Sequence, residues 1–385
     1  MPEMDLDNFE PVAKIVVIGV GGAGNNAVNR MIDENIENVE FYVANTDKQA
    51  LSTSKAPHRL VLGEEITRGL GAGGDPSVGK QAAEASTEDI RAIVKTANMV
   101  FIAAGMGGGT GTGAAPVIAS IAREEGALTV AIVTRPFTFE GKNRIAHAVE
   151  GLNALKDATD SIIIVSNDNL LMSSGNTPIS QAFRESDGVL AQSVKTVTDL
   201  ILVPALINLD FADVRNTLKG SGIALIGFGQ GHGPNKADEA AENAISNPLL
   251  EASISGARRA ICAVTCGSDV TLYEAEETVA KVKRQAGGDM DMKFGVSINE
   301  VLGDTIFVSV LASDFTEEFD FTKAPSSLKE INKESLGHGV DTLRDKAVSG
   351  EETKENKENG DANGILDDIL PDFVKGSDGD NGSLE

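Results

Sequence analysis

The chain has no tryptophan, two tyrosines, two cysteines and four histidines in 385 residues, and each shortage removes a class of answer. Two cysteines make no disulfide framework. Cys262, Val264 and Cys266 alternate along and just beyond an apolar run from 260 to 264, the pattern of one strand face, so buried reduced thiols are expected. His58, His147, His232 and His338 are scattered without ligand spacing, which argues against a zinc site. No stretch approaches eighteen uninterrupted apolar residues, and residues 1–11 are acidic where a leader would be basic and then apolar, so a cytoplasmic protein is expected. Positive charge is scarce as well: 33 Lys and Arg against 58 Asp and Glu give a net charge of −25 with no segregated basic face, which excludes sequence-independent nucleic-acid binding.

What is present is a chain 41% hydrophobic and 24% charged, long enough for two domains. Its 41 glycines follow no fixed repeat and cluster in loops. Near-continuous apolar runs at 15–20, 41–44, 99–104, 128–133 and 162–165 alternate with helical segments at 25–34 and 116–125. That alternation is the mark of an α/β fold with a Rossmann-like parallel sheet buried on both faces. From Thr177 the pattern becomes one long helix, with apolar residues at Ile179, Phe183, Leu190, Val194, Val197 and Ile201, ending near Pro204. Strands at 223–228, 260–264, 294–298 and 305–312, with helices at 237–246 and 272–285, make a second, smaller α/β domain.

Beyond Phe315 the composition changes. Residues 317–385 hold three aromatics and 8 basic against 18 acidic side chains, carrying −10 of the total charge, the signature of a disordered acidic tail. One apolar island interrupts it: Ile365, Leu366, Ile369, Leu370, Phe373 and Val374 recur at helical spacing until Pro371 breaks it. A peptide that orders on a partner and a chance cluster in a linker fit the spacing equally well.

Three glycine-rich segments carry the chemistry. Gly19-Val20-Gly21-Gly22-Ala23-Gly24 follows the first strand and opens a helix, satisfying the G-x-G-x-x-G dinucleotide fingerprint, yet the nearest acidic partner is Asp47, 28 residues on and behind Asn45 and Thr46. Gly74-Asp75-Pro76-Ser77-Val78-Gly79-Lys80 imitates a P-loop but continues with Gln81 where a hydroxyl should meet magnesium, and no strand precedes it. It reads instead as a flexible loop, 69–76, leading into a helix whose first turn carries a solvated Lys80. The third, Gly105-Met106-Gly107-Gly108-Gly109-Thr110-Gly111-Thr112-Gly113, lies between a buried strand and the helix expected to open near Pro116. Backbone N–H groups without side chains at a helix N-terminus form an anion nest, and two nests at neighbouring strand ends can hold a di- or triphosphate.

This third segment resembles the signature of the tubulin/FtsZ GTPase family, and the likeness runs from Lys14 to about Phe315. It continues through Asn45-Thr46-Asp47, Gly69-Leu70-Gly71-Ala72-Gly73, Thr134-Arg135-Pro136-Phe137 with Glu140, Gly141 and Arg144, and Asn208-Leu209-Asp210-Phe211-Ala212-Asp213. The resemblance implies a GTP-binding domain at 14–176 after an N-terminal extension at 1–13, a central helix at 177–204 and a catalytic loop with a linking helix at 205–222. A C-terminal domain at 223–316, a linker at 317–364, a docking peptide at 365–375 and an acidic tail at 376–385 complete the chain. It further implies that Gly21, Gly22, Ala23, Gly24, Asn25 and Asn26, with the whole of Gly105, Met106, Gly107, Gly108, Gly109, Thr110, Gly111, Thr112 and Gly113, surround the nucleotide phosphates, and that Pro136, Glu140 and Arg144 lie near the ribose. Asn167 and Asp187 would face the base and Phe183 stack on it, although Phe183 also fits the apolar stripe of the long helix. A carboxylate accepts from both N1–H and the exocyclic amine of guanine, whereas adenine offers no such pair, which selects GTP or GDP over ATP. Magnesium would arrive on the phosphates without direct protein ligands.

The same resemblance makes Asp210, Asp213 and Asn208 the catalytic set, against the plainer reading of the two aspartates as caps of the next helix. If Asp187 touches the base, the 23 mostly helical residues to Asp210 carry that loop roughly 30 Å from its own nucleotide. A head-to-tail neighbour is then the one that supplies it, making hydrolysis a property of an open filament. The expected role is the GTP-dependent ring scaffold of bacterial cell division at mid-cell, a homopolymer tethered to the membrane through Ile369, Leu370, Pro371, Phe373, Val374 and Lys375 by an actin-like anchor or SepF. Two departures stand out: Ala205 where the family commonly has glycine, and ten further residues, 376–385, after the docking motif. A nicotinamide oxidoreductase using residues 19–24 leaves 105–113 unexplained, and a non-hydrolysing nucleotide scaffold leaves Asp210 and Asp213 unexplained.

Overall fold

A computed structural model of the chain describes residues 13–173, 178–203, 205–246, 254–287, 290–316, 319 and 321. The chain divides into two units, Met1–Ile331 and Asn332–Glu385. The second unit, with the docking peptide and acidic tail, lies outside the described residues, as do 1–12.

Among the described residues ten strands form one sheet: β1 (Ile15–Val20), β2 (Val39–Asn45), β3 (His58–Val61), β4 (Met99–Gly105), β5 (Leu128–Arg135), β6 (Ser161–Ser166), β7 (Gly222–Gly231), β8 (Ala257–Cys266), β9 (Asp291–Ile298) and β10 (Ile306–Phe315). Their spatial order is 3-2-1-4-5-6-7-10-8-9. Strands β1 to β7 run parallel to one another, β10 pairs antiparallel with β7 and β8, and β8 is parallel to β9. Strand order reverses between β1 and β4, which both follow central registers, Ile15 lying against Val39 on one side and Met99 on the other. In a doubly wound sheet the crevice beyond the strand ends at that reversal is where a ligand fits.

Among the described residues twelve α-helices cover it: α1 (Gly21–Asp33), α2 (Lys48–Ser52), α3 (Glu64–Thr67), α4 (Pro76–Ala85), α5 (Thr87–Val94), α6 (Thr110–Glu124), α7 (Lys142–Ala158), α8 (Asn167–Ser173), α9 (Ile179–Leu202), α10 (Phe211–Leu218), α11 (Lys236–Ile245) and α12 (Leu272–Gln285). The fully buried runs of β1, β4 and β6 are sealed on one face by Val28, Met31, Leu190, Val194 and Leu218, and on the other by Ile90, Ile118, Leu152 and Leu155. Central α9 turns Leu190, Ala191, Val194 and Val197 inward, at the three, four and seven spacing read from the sequence. A third cluster, including Cys262, Val264, Cys266 and Val310, lies under α11 and α12. Both thiols are free and buried, and burial pushes Cys262 up to about 12.

Two helix starts differ from expectation. Helix α1 begins at Gly21, not Asn25, and α6 at Thr110, not near Pro116. The glycines mistaken for loop are themselves first turns, because Gly21 at φ +73° lets the chain leave β1 directly into a helix. Strand β3, a four-residue edge, gave no apolar run. Past residue 316, where a linker is expected to start, Phe321 is buried in the same core cluster as Ile118 and Leu152, and its carbonyl accepts from Arg135 Nη2 at 3.3 Å.

Candidate nucleotide site

Helices α1 and α6 start at the ends of β1 and β4, side by side at the strand-order reversal. Neither first turn holds an acidic residue, and neither Val20 nor Gly109, which precede them, offers a side-chain cap. Their orphan N–H groups and dipoles are left for an anion. Adjacent α4 differs: Asp75 caps it, accepting from Ser77 N at 2.8 Å, which explains the P-loop imitation as a capped helix start with proline in its first turn. Lys80 is exposed there, 3.9 Å from Glu84, as expected for a solvated residue.

The two turns touch. A Cβ on Gly21 would lie 2.9 Å from Gly111 N, and one on Gly111 would lie 2.6 Å from the Gly105 carbonyl oxygen. By contrast a Cβ on Gly22 or Gly108 meets nothing within 4 Å. Between them opens a cleft of about 220 Å³ lined by Val20, Gly22, Ala23, Gly105, Met106, Gly108, Gly109, Thr110, Gly111, Thr134, Pro136, Glu140, Arg144, Asn167, Phe183, Ser186 and Asp187. Fourteen of these are residues expected from the sequence; Val20, Thr134 and Ser186 are additions, Val20 from within the first glycine segment and the other two from outside both.

The remaining selected residues around the turns lie outside the lining. Gly24 packs so closely that a Cβ would sit 2.2 Å from the Ala103 carbonyl, and one on Gly113 would sit 2.0 Å from that of Pro76. These glycines let helices approach the sheet and each other. Asn25 is 4% exposed and, in the amide orientation that satisfies its surroundings, donates to the carbonyls of Gly19 and Gly21 at 2.9 Å each and accepts from Asn45 Nδ2 at 3.2 Å. Thr112 Oγ1 accepts from Gly107 N at 2.8 Å, which fixes Gly107 at φ +100°. Asn26 is exposed on α1, away from the lining. The loop at 69–76 backs the turn instead of lining it: a Cβ on Gly109 would lie 2.8 Å from Ala72 Cβ.

At the far end of the cleft, Glu140 Oε1 accepts from Phe137 N at 2.9 Å and its Oε2 holds Arg144 Nε at 2.9 Å. Phe183 is 41% exposed at the cleft wall, which separates it from the core stripe of α9. Buried Phe137 meets it edge-on at 5.1 Å and 83°. Asn167 Oδ1 accepts from Ser186 Oγ at 2.7 Å. One turn of α9 beyond Phe183, burial pushes Asp187 from 3.8 up to about 7, with Arg30 pulling in the opposite direction.

Asp210, Asp213 and Asn208 are not in this cleft. They follow α9, which runs on from Asp187 to Leu202 for about 22 Å. Asp213 N donates to Asp210 Oδ1 at 2.8 Å and Asp210 N to Asp213 Oδ2 at 3.4 Å, a reciprocal cap of α10. Asn208 Oδ1 accepts from Ala205 N at 2.5 Å, closing the turn before them. Among the described residues no group of three or more His, Cys, Asp or Glu side chains is gathered that could hold a metal, and no helix is long and apolar enough to cross a membrane.

Comparison with known proteins identifies the architecture. Residues 14–175 match the model of the Tubulin/FtsZ family GTPase domain, and residues 222–316 that of the FtsZ family C-terminal domain. The chain is 43% identical to the protein in an empty FtsZ dimer from M. jannaschii, with a TM-score of 0.76 over 80% of this chain and 90% of that one. A point mutant of M. jannaschii FtsZ gives the same identity and TM-score over 80% and 94%. CetZ2 from Haloferax volcanii, solved as a GTPγS-bound protofilament, shares the fold at 22% identity and a TM-score of 0.68, over 86% of this chain and 99% of that one. With its two glycine turns meeting at the strand-order reversal of such a sheet, the chain belongs to the tubulin/FtsZ family and is a GTP-binding GTPase.

Proposed function

We propose that the chain is a GTP-dependent polymerising scaffold of bacterial cell division, in which each subunit holds GTP in the α1/α6 cleft and presents Asp210 and Asp213 to the nucleotide of the next. The observation that carries this reading is the span of α9, which separates the cleft wall at Phe183 and Asp187 from the acidic pair. The phosphates take the N–H groups of the two uncapped turns, Glu140 and Arg144 meet the ribose, and Phe183 stacks on guanine. Asn167 and Asp187 read the base edge, Asp187 accepting from N1–H and the exocyclic amine. Magnesium is carried by the phosphate oxygens, since of the two carboxylates lining the cleft Glu140 is engaged by Arg144 and Asp187 is given to the base. A second chain then brings Asp210 and Asp213 to orient the attacking water, with Asn208 holding their loop. Such a contact does not close on itself and makes filaments, as in the CetZ2 protofilament. A mid-cell ring in the cytoplasm, tethered to the membrane through residues 365–375, completes the reading.

The test is the dependence of turnover on protein concentration. A threshold, coinciding with the appearance of sedimentable polymer in GTP and its absence in GDP, is the expected result; strictly linear activity from the most dilute solution upward would remove catalysis between subunits.

Base reading also fixes a pH dependence. Guanine demands the ionised form of Asp187, whereas burial holds its proton up to about 7. Below that value binding must expel a proton, so GTP affinity should fall by up to about tenfold per pH unit, and be flat above it. The sign for folding is consistent: a carboxyl raised from 3.8 contributes most to the stability of the protein alone below 3.8, and that contribution is lost as pH rises through about 7. Titrating GTP affinity from pH 5.5 to 8.5 checks it, and Asp187→Asn should abolish the slope; an unchanged slope in that variant assigns the proton elsewhere.

A further inference from the structure

The segment that ends β2 and leaves it, Asn45 to Asp47, belongs to neither glycine turn, yet it is tied to both. Asn45 Nδ2 donates to Asn25 of α1, and Thr46 Oγ1 lies 2.7 Å from Thr110 Oγ1, where either can be the donor. Thr46 is 0% exposed and Thr110 8%. The backbone of Thr46 is held as firmly: its carbonyl accepts from Gly71 N at 3.1 Å and from Thr67 Oγ1 at 3.2 Å. Asp47 is fixed in turn by capping α2, accepting from Gln49 N at 2.8 Å and Ala50 N at 3.2 Å.

Thr110 is the first residue of α6 and lines the cleft. A hydroxyl has one proton to give. Next to phosphate oxygens, which only accept, Thr110 must spend that proton outward, and its oxygen is then free to receive one. We propose that Thr46 is a positioning residue for GTP binding: its buried hydroxyl donates to Thr110, and so turns the Thr110 proton toward the phosphates. The inference rests on the reading of the α1/α6 cleft as the phosphate site and adds a direction to its hydrogen bonding. In water the pair has no preferred sense; held in the core by the ties to Gly71 and Thr67, Thr46 has Thr110 as the acceptor that geometry offers it. The cost of losing that donation falls on the phosphate end of the ligand and leaves the base end untouched.

The experiment compares affinities for GTP and for guanosine, which lacks phosphates, in the full chain at fixed pH. Thr46→Val, matched in shape and without the donor, should weaken GTP by about three- to tenfold while leaving guanosine unchanged, and Thr46→Ser should restore GTP binding. Thr110→Val is the control for the site itself. If Thr110→Val weakens GTP and Thr46→Val does not, the relay is wrong and the cleft stands. Should neither variant alter GTP binding, the phosphate reading of the cleft falls and the inference falls with it. Equal loss of GTP and guanosine in Thr46→Val would make Thr46 a plain structural residue, which also overturns the proposal. Thermal unfolding verifies that each variant folds; if Thr46→Val does not, Thr46→Ala removes the hydroxyl without adding bulk and is judged by the same outcomes.

Discussion

Asp213→Ala is expected to bind GTP and to assemble, but to hydrolyse it at least about a hundredfold more slowly, the usual scale for removing a group that activates water. The capping role of Asp213 offers a competing explanation for any defect, and magnitudes separate the two. The bond it makes as a cap, to Asp210 N, is long at 3.4 Å, and losing a capping contact costs about 1 kcal/mol of stability. That shifts a melting curve by a few degrees without touching turnover a hundredfold. A mixing experiment decides where the carboxylate acts. Asp213→Ala subunits retain the nucleotide cleft, and subunits carrying Gly22→Ala retain the acidic pair. With GTP held below what the weakened Gly22→Ala cleft can bind, each alone should be nearly inactive, whereas together they form interfaces with GTP on one side and Asp213 on the other, and activity should return. Co-sedimenting mixtures that stay inactive would exclude a carboxylate acting across the interface.

Gly22→Ala and Gly113→Ala should fail in opposite ways, although both sit in glycine-rich turns. Gly22 lies in the first turn of α1, lines the cleft, and has nothing within 4 Å of an added Cβ. Alanine there should preserve or slightly raise stability, by up to about 1 kcal/mol, through the lower entropy of the unfolded chain. The same methyl occupies the approach to the phosphates, so GTP affinity should drop by about tenfold or more. At Gly113 an added Cβ would sit 2.0 Å from the Pro76 carbonyl and 2.6 Å from Lys80 N, backbone atoms that cannot step aside. The helices α4 and α6 must separate, at a cost of about 2–3 kcal/mol. Melting temperature and nucleotide affinity measured together distinguish the two; a Gly22→Ala protein that melts early, or a Gly113→Ala protein as stable as the parent, would show that the turns are packed differently.

Much of the fold was legible because the signal was local. Buried strands such as Ile15–Val20 and Met99–Gly105 are apolar at every position, and α9 repeats its core residues at helical spacing. Edge strand β3 escaped because His58 and Arg59 stand where an interior strand would be apolar. Asp47, as the cap of α2, and Asp75, as the cap of α4, account for two motifs that imitate other nucleotide folds.

The amino-acid sequence alone determined the family likeness, the parallel sheet, the run of bare backbone at 105–113 and the acidic pair at 210 and 213, since each is written in residue type and short spacing. Tertiary structure decided how glycines of the same run divide their work: Gly22 and Gly108 face open space, while Gly24 and Gly113 have a neighbouring carbonyl where a Cβ would go. It also decided that Asp187 holds its proton up to about 7 and that Thr46 meets Thr110. Glycine carries no mark of what packs against it, and a carboxylate or hydroxyl carries none of the solvent it has lost. Both are set by chain segments distant in sequence that only the folded sheet brings together.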